Sequence, residues 1–348
     1  SENEHFAQLC LKNGIVFIGP SVENMRALSS KEMTKRRMQE AGLTTIPGSP
    51  VLSTLAQAKS EADKIGYPVM LKARSGGGGR GIRLVREPGE LERAFHAAVS
   101  EGEAAFGDGA VYMEKYLYPA KHIEVQIIAD ECGKVVCLGD RDCSIQRNNQ
   151  KLIEETPSPV VNSQQRAELF DKITSAVKKI GYVGVGTLEF LYSGGNFYFM
   201  EMNVRLQVEH TVTEELTQID LVKWQIRVAA GISFGYTQDD INLRGSAIEC
   251  RINALAPGKV NFLHVPGGPF VRFDTFLVAG FSISPYYDSL LGKLIVYAGT
   301  REEALRKMQA ALCELVIDGV PNNVEEQIDI VNDSRFRDGS YDLSFFAK

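Results

Sequence analysis

The sequence predicts an α+β fold. From Lys121 onwards short apolar runs (His122–Ala129, Lys134–Gly139, Gly186–Tyr192, Asn196–Asn203) outnumber helical patterns. Ser193-Gly194-Gly195 between the last two is a turn signal that makes them a hairpin. Ahead of these strands, residues 44–116 mix helix and strand signals around four consecutive glycines, Gly76–Gly79, a unit compact enough to act as a separate mobile lid. With 348 residues the chain can hold two or three domains and a substantial core.

Taken in order, Gly14–Pro20 reads as a strand and Ser21–Ala41 as one helix ended by Gly42. A lone strand–helix unit needs neighbouring strands to cover it, so part of an N-terminal domain is expected ahead of Ser1. Thr44–Pro50, with two prolines and a glycine, is a boundary loop. Leu55–Ile65 is a helix closed by Gly66, Tyr67–Ala73 a strand, Ser75–Gly81 a loop, and Ile82–Val85 a returning strand. Pro88–Ser100 is helical and Ala110–Tyr116 extended. Asp140–Lys151 reads as a polar, loop-like stretch, and Gln164–Ile180 as an amphipathic helix stopped by Gly181. Leu221–Ala230 and Glu302–Leu315 are later helices, and no internal repeat is present.

A net charge of −6 argues against a general nucleic-acid binder, which would show a basic stripe. No apolar run approaches the ~18 residues a membrane span needs, and no charged-then-apolar leader opens the chain. The six cysteines show no CxxC pair, so they are expected as reduced thiols in a cytoplasmic protein, with Cys143 a candidate reactive thiol.

The richest stretch is Glu201-Met-Asn-Val-Arg-Leu-Gln-Val-Glu209, where a polar group recurs at every second position. In an extended strand these groups share a face. A carboxylate and an amide suit Mg²⁺, arginine and glutamine suit an oxyanion, and a second carboxylate could act as a base. An amphipathic strand with a wet face is the plain alternative. Across the hairpin, a five-residue loop (Ser193–Phe197) would set Glu189 opposite Glu201, a pair that repels unless protonated or bridged by a cation. A glycosidase acid/base pair is the rival, but it leaves the glycine loop and Lys72 without a task.

Gly76–Gly79, with Arg80 and Gly81, lets backbone N–H groups approach a triphosphate, although neither Walker A nor GxGxxG spacing is present. Otherwise it is a flexible turn. Lys72, at the end of the strand entering the loop, must find an anion or reach solvent. Glu114-Lys115 could read an adenine amino group and a ribose hydroxyl, or form a surface ion pair. Gln146 and Lys151 become anion contacts if a phosphate is near, and Arg251, alone in an apolar strand, demands an anionic partner. His210 falls off the period-two face and is taken as structural.

In combination these motifs resemble biotin carboxylase, the ATP-grasp component of biotin-dependent carboxylases. The resemblance covers nearly the whole chain. It rests on Lys72 with SGGGGRG, Met113-Glu114-Lys115-Tyr116, Arg141–Gln146 (RDCSIQ), Gly186–Phe190 (GTLEF), EMNVRLQVEH, Glu249–Asn253 (ECRIN) and Pro285–Ser289 (PYYDS). It implies an ATP-grasp fold: a Rossmann-like remnant over 1–43, a mobile glycine-rich lid over 44–116, and the rest of the grasp with the C-terminal domain over 117–348. By position, Lys31, Lys72, Gly76, Gly77, Gly78, Gly79, Glu114, Lys115, His122, Gln146 and Leu343 would contact ATP. Glu189, Glu201 and Asn203 would bind Mg²⁺ (or Mn²⁺). Arg205, Gln207, the Val208 backbone and Lys151 would hold bicarbonate. Glu209 would be its base, and Arg251 would stabilise the biotin enolate. The resemblance further implies carboxyphosphate chemistry in a closed site, a separate biotin carboxyl carrier protein, a carboxyltransferase partner, a homodimer, and a place in acetyl-CoA carboxylase and fatty acid synthesis. Another ATP-grasp ligase and a regulatory nucleotide-binding module are the alternatives. Two departures stand out: Asn149 where many members carry histidine, and Ala254–Pro257 in place of a more acidic stretch.

Overall fold

The computed structural model describes residues 2–28, 31–74 and 81–347, with the side chains of Lys31, Glu32 and Phe106 outside the description. The chain opens with helix α1 (Glu4–Lys12), whose start is capped by the Asn3 side chain accepting from the Phe6 amide. The strand expected over 14–20 is not formed. No strand among the described residues pairs with it, and an extended segment without a ladder partner is not a strand. Within the helix expected over 21–41, the described residues form α2 (Val22–Leu28) and α3 (Lys31–Glu40), and residues 29 and 30 lie outside the description.

The described chain divides into two compact units. One comprises residues 44–120 with 148–150. It contains α4 (Leu55–Ile65), capped by Thr54 and ended by Gly66 at φ +79°, then strands β1 (Val69–Ala73), β2 (Ile82–Val85), helix α5 (Leu91–Phe106) and β3 (Val111–Lys115). Its antiparallel sheet has the order β2-β1-β3. Leu71, Val85, Leu91, Phe95 and Met113 form its apolar centre.

The other unit holds residues 1–43, 121–147 and 151–348. Its strands are β4 (Lys121–Ala129), β5 (Val135–Arg147), β6 (Gln150–Thr156), β7 (Gly184–Ser193), β8 (Asn196–Asn203) and β9 (Ser246–Asn253). They are followed by β10 (Gly258–Lys259), β11 (Phe262–His264), β12 (Val271–Thr275), β13 (Ser282–Ile283), β14 (Leu290–Ala298) and β15 (Val316–Asp318). Eight of them make one sheet, β12-β14-β9-β6-β5-β4-β7-β8. Helix α6 (Ser163–Ile180), started by an Asn162–Gln165 capping box and ended by left-handed Gly181, buries Leu169, Phe170, Ile173 and Val177 against Val125, Ile127, Cys137 and Leu188. Helices α7 (His210–Thr217) and α8 (Leu221–Ala229) follow β8, and α9 (Arg301–Glu314), α10 (Val324–Asn332) and α11 (Ser334–Asp338) close the fold around a second core.

Along β4 the period of two separates functions. Val125 and Ile127 face the α6 core, while His122, Glu124 and Gln126 alternate with them and lie buried on the opposite face. The loop expected over 140–151 is instead the second half of β5 and the start of β6, joined through Asn148 and Asn149 at φ 51° and 63°. Asparagine tolerates that left-handed geometry better than most residues, which gives Asn149 a backbone reason. Polarity misled the sequence reading there because the polar side chains are buried and paired. Asp142 takes Lys121 at 3.0 Å and the Ser144 hydroxyl at 2.6 Å. Cys143 is fully buried, and burial pushes its thiol up, so the reactive-thiol expectation is withdrawn.

Candidate active site

Glu189 on β7 and Glu201 on β8 are direct cross-strand partners. The route differs from the five-residue loop expected. Ser193 pairs with Asn196 across a two-residue Gly194-Gly195 turn, and a one-residue bulge at Met200 then restores the opposition of the two carboxylates. Without that bulge the strict alternation of β8 would put buried Phe199 and Glu201 on the same face. The bulge lets Phe199 join the α6 core while Glu201 and Asn203 point to the other side.

The alternation read through Glu209 is also shorter than expected. β8 ends at Asn203, and Arg205, Gln207 and Glu209 sit on the connection into α7 rather than on one strand. Side-chain contacts still converge them. Asn203 Nδ2 donates to Glu189 Oε1 at 2.7 Å, Gln207 Nε2 donates to the same oxygen at 2.8 Å, and Arg205 Nη2 reaches Asn203 Oδ1 at 3.2 Å. Lys293 Nζ, on β14, donates to the Val208 carbonyl at 2.6 Å and anchors this connection.

Lys151 is the hub. Its ammonium lies 2.7 Å from Glu124 Oε2, 2.5 Å from Glu209 Oε1 and 3.5 Å from Glu189 Oε1. Burial opposes its charge, but these carboxylates outweigh burial and hold its pKa well above the usual lysine range. Glu209 bridges onward, because its Oε2 is 3.0 Å from Arg251 Nη2. Arg251 Nε in turn donates to Glu154 Oε1 at 2.6 Å. On β4, His122 Nε2 is 3.2 Å from Glu189 Oε2, and Gln146 Nε2 meets the other ring nitrogen at 3.1 Å. Burial disfavours the imidazolium, yet Glu189 prevails and pushes His122 up to about 9. Glu189 itself, despite burial, is drawn down to about 2 by His122 and Lys151.

Of the residues singled out from sequence, His122, Gln146, Lys151, Glu189, Glu201, Asn203, Arg205, Gln207, Glu209 and Arg251 form this linked set. Leu343, in the C-terminal segment between buried Tyr341 and Phe345, is 36 % exposed. In the other unit Lys72 Nζ is 2.5 Å from Glu114 Oε2, and Lys115 Nζ donates to the Gly66 and Tyr67 carbonyls at 2.9 Å. Gly76, Gly77, Gly78 and Gly79 lie outside the described residues, and of Lys31 only the backbone, opening α3, is described. His210 starts α7 with Nδ1 2.8 Å from the Gln207 carbonyl, consistent with a structural part.

Four residues of this network were not read as site residues from the sequence: Glu124, Gln126, Arg141 and Glu154. The signal for the first two was present, as His122, Glu124 and Gln126 recur at every second position of β4. Arg141 is fully buried, yet its guanidinium has a full complement of acceptors. Nε donates to Glu124 Oε1 at 2.6 Å, Nη1 to Gln126 at 2.8 Å and Thr213 at 2.9 Å, and Nη2 to Gln207 Oε1 at 2.9 Å. The last contact turns the Gln207 amide so that its NH₂ faces Glu189.

Chemically, the arrangement offers hard oxygen donors at Glu189, Glu201 and Asn203, the type a Mg²⁺–nucleotide complex requires. His122, Glu124 and Glu189 also bring ligand atoms within 4.8 Å of one another. The Glu124–Cys143–Glu209 group does likewise, but Lys151 already spans its two carboxylates.

Comparison with known proteins agrees with this chemistry. The family model described as "Carbamoyl-phosphate synthase L chain, ATP binding domain" matches residues 30–236, and that of the "Biotin carboxylase C-terminal domain" matches 249–348. The biotin carboxylase of Haemophilus influenzae is 45 % identical, with 100 % of this chain and 80 % of that protein aligned. A biotin carboxylase–βγ-ATP complex from Campylobacter jejuni superposes with a TM-score of 0.95 at 45 % identity, covering 100 % of this chain and 80 % of that one. The biotin carboxylase domain dimer of Hydrogenobacter thermophilus 2-oxoglutarate carboxylase, in complex with MgADP, ADP and bicarbonate, gives 0.93 at 46 % identity over 99 % of this chain and 78 % of that one.

Proposed function

Because the chain belongs to the biotin carboxylase family and has its ATP-grasp fold, we propose that it carboxylates biotin on a carrier protein with ATP and bicarbonate, through carboxyphosphate. The observation that carries this reading is Glu209 held between Lys151 and Arg251. A base, an anion-binding ammonium and a guanidinium for a developing oxyanion are what the two half-steps need, side by side.

In the first step Glu209 takes the proton of bicarbonate. Lys151, Arg205, Gln207 and the Val208 backbone hold the anion in line with the γ-phosphate. The bicarbonate oxygen bonds to phosphorus and the bond to ADP breaks, giving carboxyphosphate. Mg²⁺ (or Mn²⁺) arrives as part of the nucleotide substrate, and Glu189, Glu201 and Asn203 are the residues that would hold it. Carboxyphosphate then splits to CO₂ and phosphate. Phosphate removes the biotin N1′ proton, Arg251 stabilises the oxyanion so formed, and the nitrogen bonds to CO₂. The nucleotide contacts proposed are His122, Gln146, Leu343, Lys31, Lys72, Glu114, Lys115 and the Gly76–Gly79 run.

The finer role proposed is the first half-reaction of a bacterial-type acetyl-CoA carboxylase in fatty acid synthesis, with a biotin carboxyl carrier protein and a carboxyltransferase as partners. The bacterial and chloroplastic biotin carboxylases and the 2-oxoglutarate carboxylase small subunit among the relatives support the biotin-carboxylating step that this role shares with other biotin-dependent carboxylases. A homodimer and a cytoplasmic location belong to the same proposal. The dimer described for the H. thermophilus domain supports the first, and free cysteines the second. Among the described residues no helix is long and apolar enough to cross a membrane.

The test is ADP release from Mg·ATP, with bicarbonate and free biotin each added or withheld. Release that needs bicarbonate and rises with biotin supports the proposal. Release that needs bicarbonate but ignores biotin points to another carboxyphosphate-forming ligase and overturns it.

A further inference from the structure

Behind Arg251 two carboxyl groups face each other in the interior. Glu154 on β6 and Glu249 on β9 are direct cross-strand partners, and both are fully buried. Such partners project from the same face with Cβ atoms about 5 Å apart. Each employs one oxygen: Glu154 Oε1 accepts from Arg251 Nε at 2.6 Å, and Glu249 Oε2 accepts from the Thr211 hydroxyl. The remaining oxygens, Glu154 Oε2 and Glu249 Oε1, are buried without a hydrogen-bond partner among the described residues.

The charged neighbours do not supply the missing donors. Arg251 is divided between Glu154 and Glu209. Lys293 on β14 donates to the Val208 carbonyl at 2.6 Å and to Thr211 Oγ1 at 3.0 Å, and stays 3.9 Å from both Glu249 and Asp274 on β12. Two opposed buried carboxylates repel, and an unpaired carboxylate oxygen in the interior is costly. One proton on Glu249 removes one of the two charges, and Oε1, which accepts from no donor among the described residues, is the oxygen free to carry it.

We propose that Glu154 and Glu249 share one proton, with Glu154 the ionised positioning residue that aims Arg251 and Glu249 kept as a neutral acid. Burial, reinforced by the charge of Glu154 and opposed by Lys293 and Arg251, pushes Glu249 up to about 8. Glu154 is raised by burial too, but it alone holds the direct contact with Arg251 that favours its charge. The kinetic consequence rests on the part proposed above for Arg251, whereas the shared proton does not.

The experiment is infrared spectroscopy of the full chain at pH 7 in H₂O and D₂O, with wild type compared with Glu249→Gln, followed by carboxylation of free biotin by Glu249→Gln, Glu154→Gln and Glu154→Asp. The wild type is expected to show a protonated-carboxyl stretch that shifts in D₂O and disappears in Glu249→Gln. Glutamine is isosteric with the neutral acid, so Glu249→Gln keeps a rate close to wild type. Glu154→Gln, with Arg251 released from its aim, loses roughly 100-fold in kcat while KM for ATP does not move. Glu154→Asp, which keeps the charge, recovers part of that loss. Absence of the band in wild type overturns the shared proton. Equal damage from Glu249→Gln and Glu154→Gln, or no recovery in Glu154→Asp, overturns the division of tasks. If wild type ignores biotin, the proposed function fails, and the band still decides the pair.

Discussion

Lys151 Nζ and Glu209 Oε1 lie 2.5 Å apart, and neither side chain is more than 14 % exposed. One residue comes from β6 and the other from the connection ahead of α7, so the contact ties a rigid strand to the segment that carries Gln207 and Val208. Removing the base while keeping its shape isolates its chemistry. Glu209→Gln is expected to lower bicarbonate-dependent ADP release by roughly 100-fold or more, the usual scale for a positioned general base. Steady-state assays at saturating Mg·ATP check this. A loss below about fivefold would be far too small for a general base and would assign that step to another group.

The thiols offer an independent check on burial. Cys132 and Cys313 are exposed, whereas Cys137, Cys143 and Cys250 are buried and burial raises their pKa. A small disulfide reagent at pH 8 is expected to modify Cys132 and Cys313 rapidly in the native protein, and Cys143 only after denaturation. Mass mapping of the labelled peptides reads this out. Fast labelling of Cys143 would contradict the buried course of β5.

Glu249 makes a pH prediction whose sign follows from linkage. Its folded pKa, about 8, lies above its unfolded value, so its favourable contribution is complete below the unfolded pKa and is lost as pH rises towards 8. In Glu249→Gln this loss is absent. The stability difference, mutant minus wild type, should therefore rise between about pH 4.5 and 8 and level off above that, with a slope of at most about 1.4 kcal/mol per pH unit. Urea denaturation of both proteins across that range measures it. A flat difference would mean that Glu249 titrates normally.

Arg141 carries a stability prediction. Its guanidinium is wholly enclosed and satisfies Glu124, Gln126, Thr213 and Gln207 together. Arg141→Met leaves a buried carboxylate facing methionine and is expected to cost about 3–5 kcal/mol. The shift of the urea midpoint at constant m-value tests it. A shift worth less than about 1 kcal/mol would show that Lys151 alone suffices to hold Glu124.

Much of this architecture was legible in the sequence because local rules governed it. Leu55–Ile65 lies between Thr54 and Gly66 as its caps dictate, and the Ser163–Ile180 helix stops at Gly181 for the same reason. The site was legible to the extent that chemistry follows residue type: Glu189, Glu201, Gln207, Glu209 and Arg251 were all visible as candidates. What failed was the step from polarity to exposure. Asp140, Arg141, Asp142 and Ser144 look like a surface loop because a local window carries no trace of partners contributed by distant strands. Backbone count failed in the same way. The bulge at Met200 compensates for a turn three residues shorter than the one inferred, and two errors cancelled in the pairing of Glu189 with Glu201.

The chain's own carboxylates already occupy the cations an incoming anion would seek. Lys151 is taken by Glu124 and Glu209, Arg251 by Glu154 and Glu209, and His122 by Glu189. Any anionic substrate must therefore compete with internal ligands tethered at fixed distance. An anion that brings its own divalent cation supplies positive charge to the glutamates it displaces, so metal and anion together restore the charge balance that the protein's internal pairs set up.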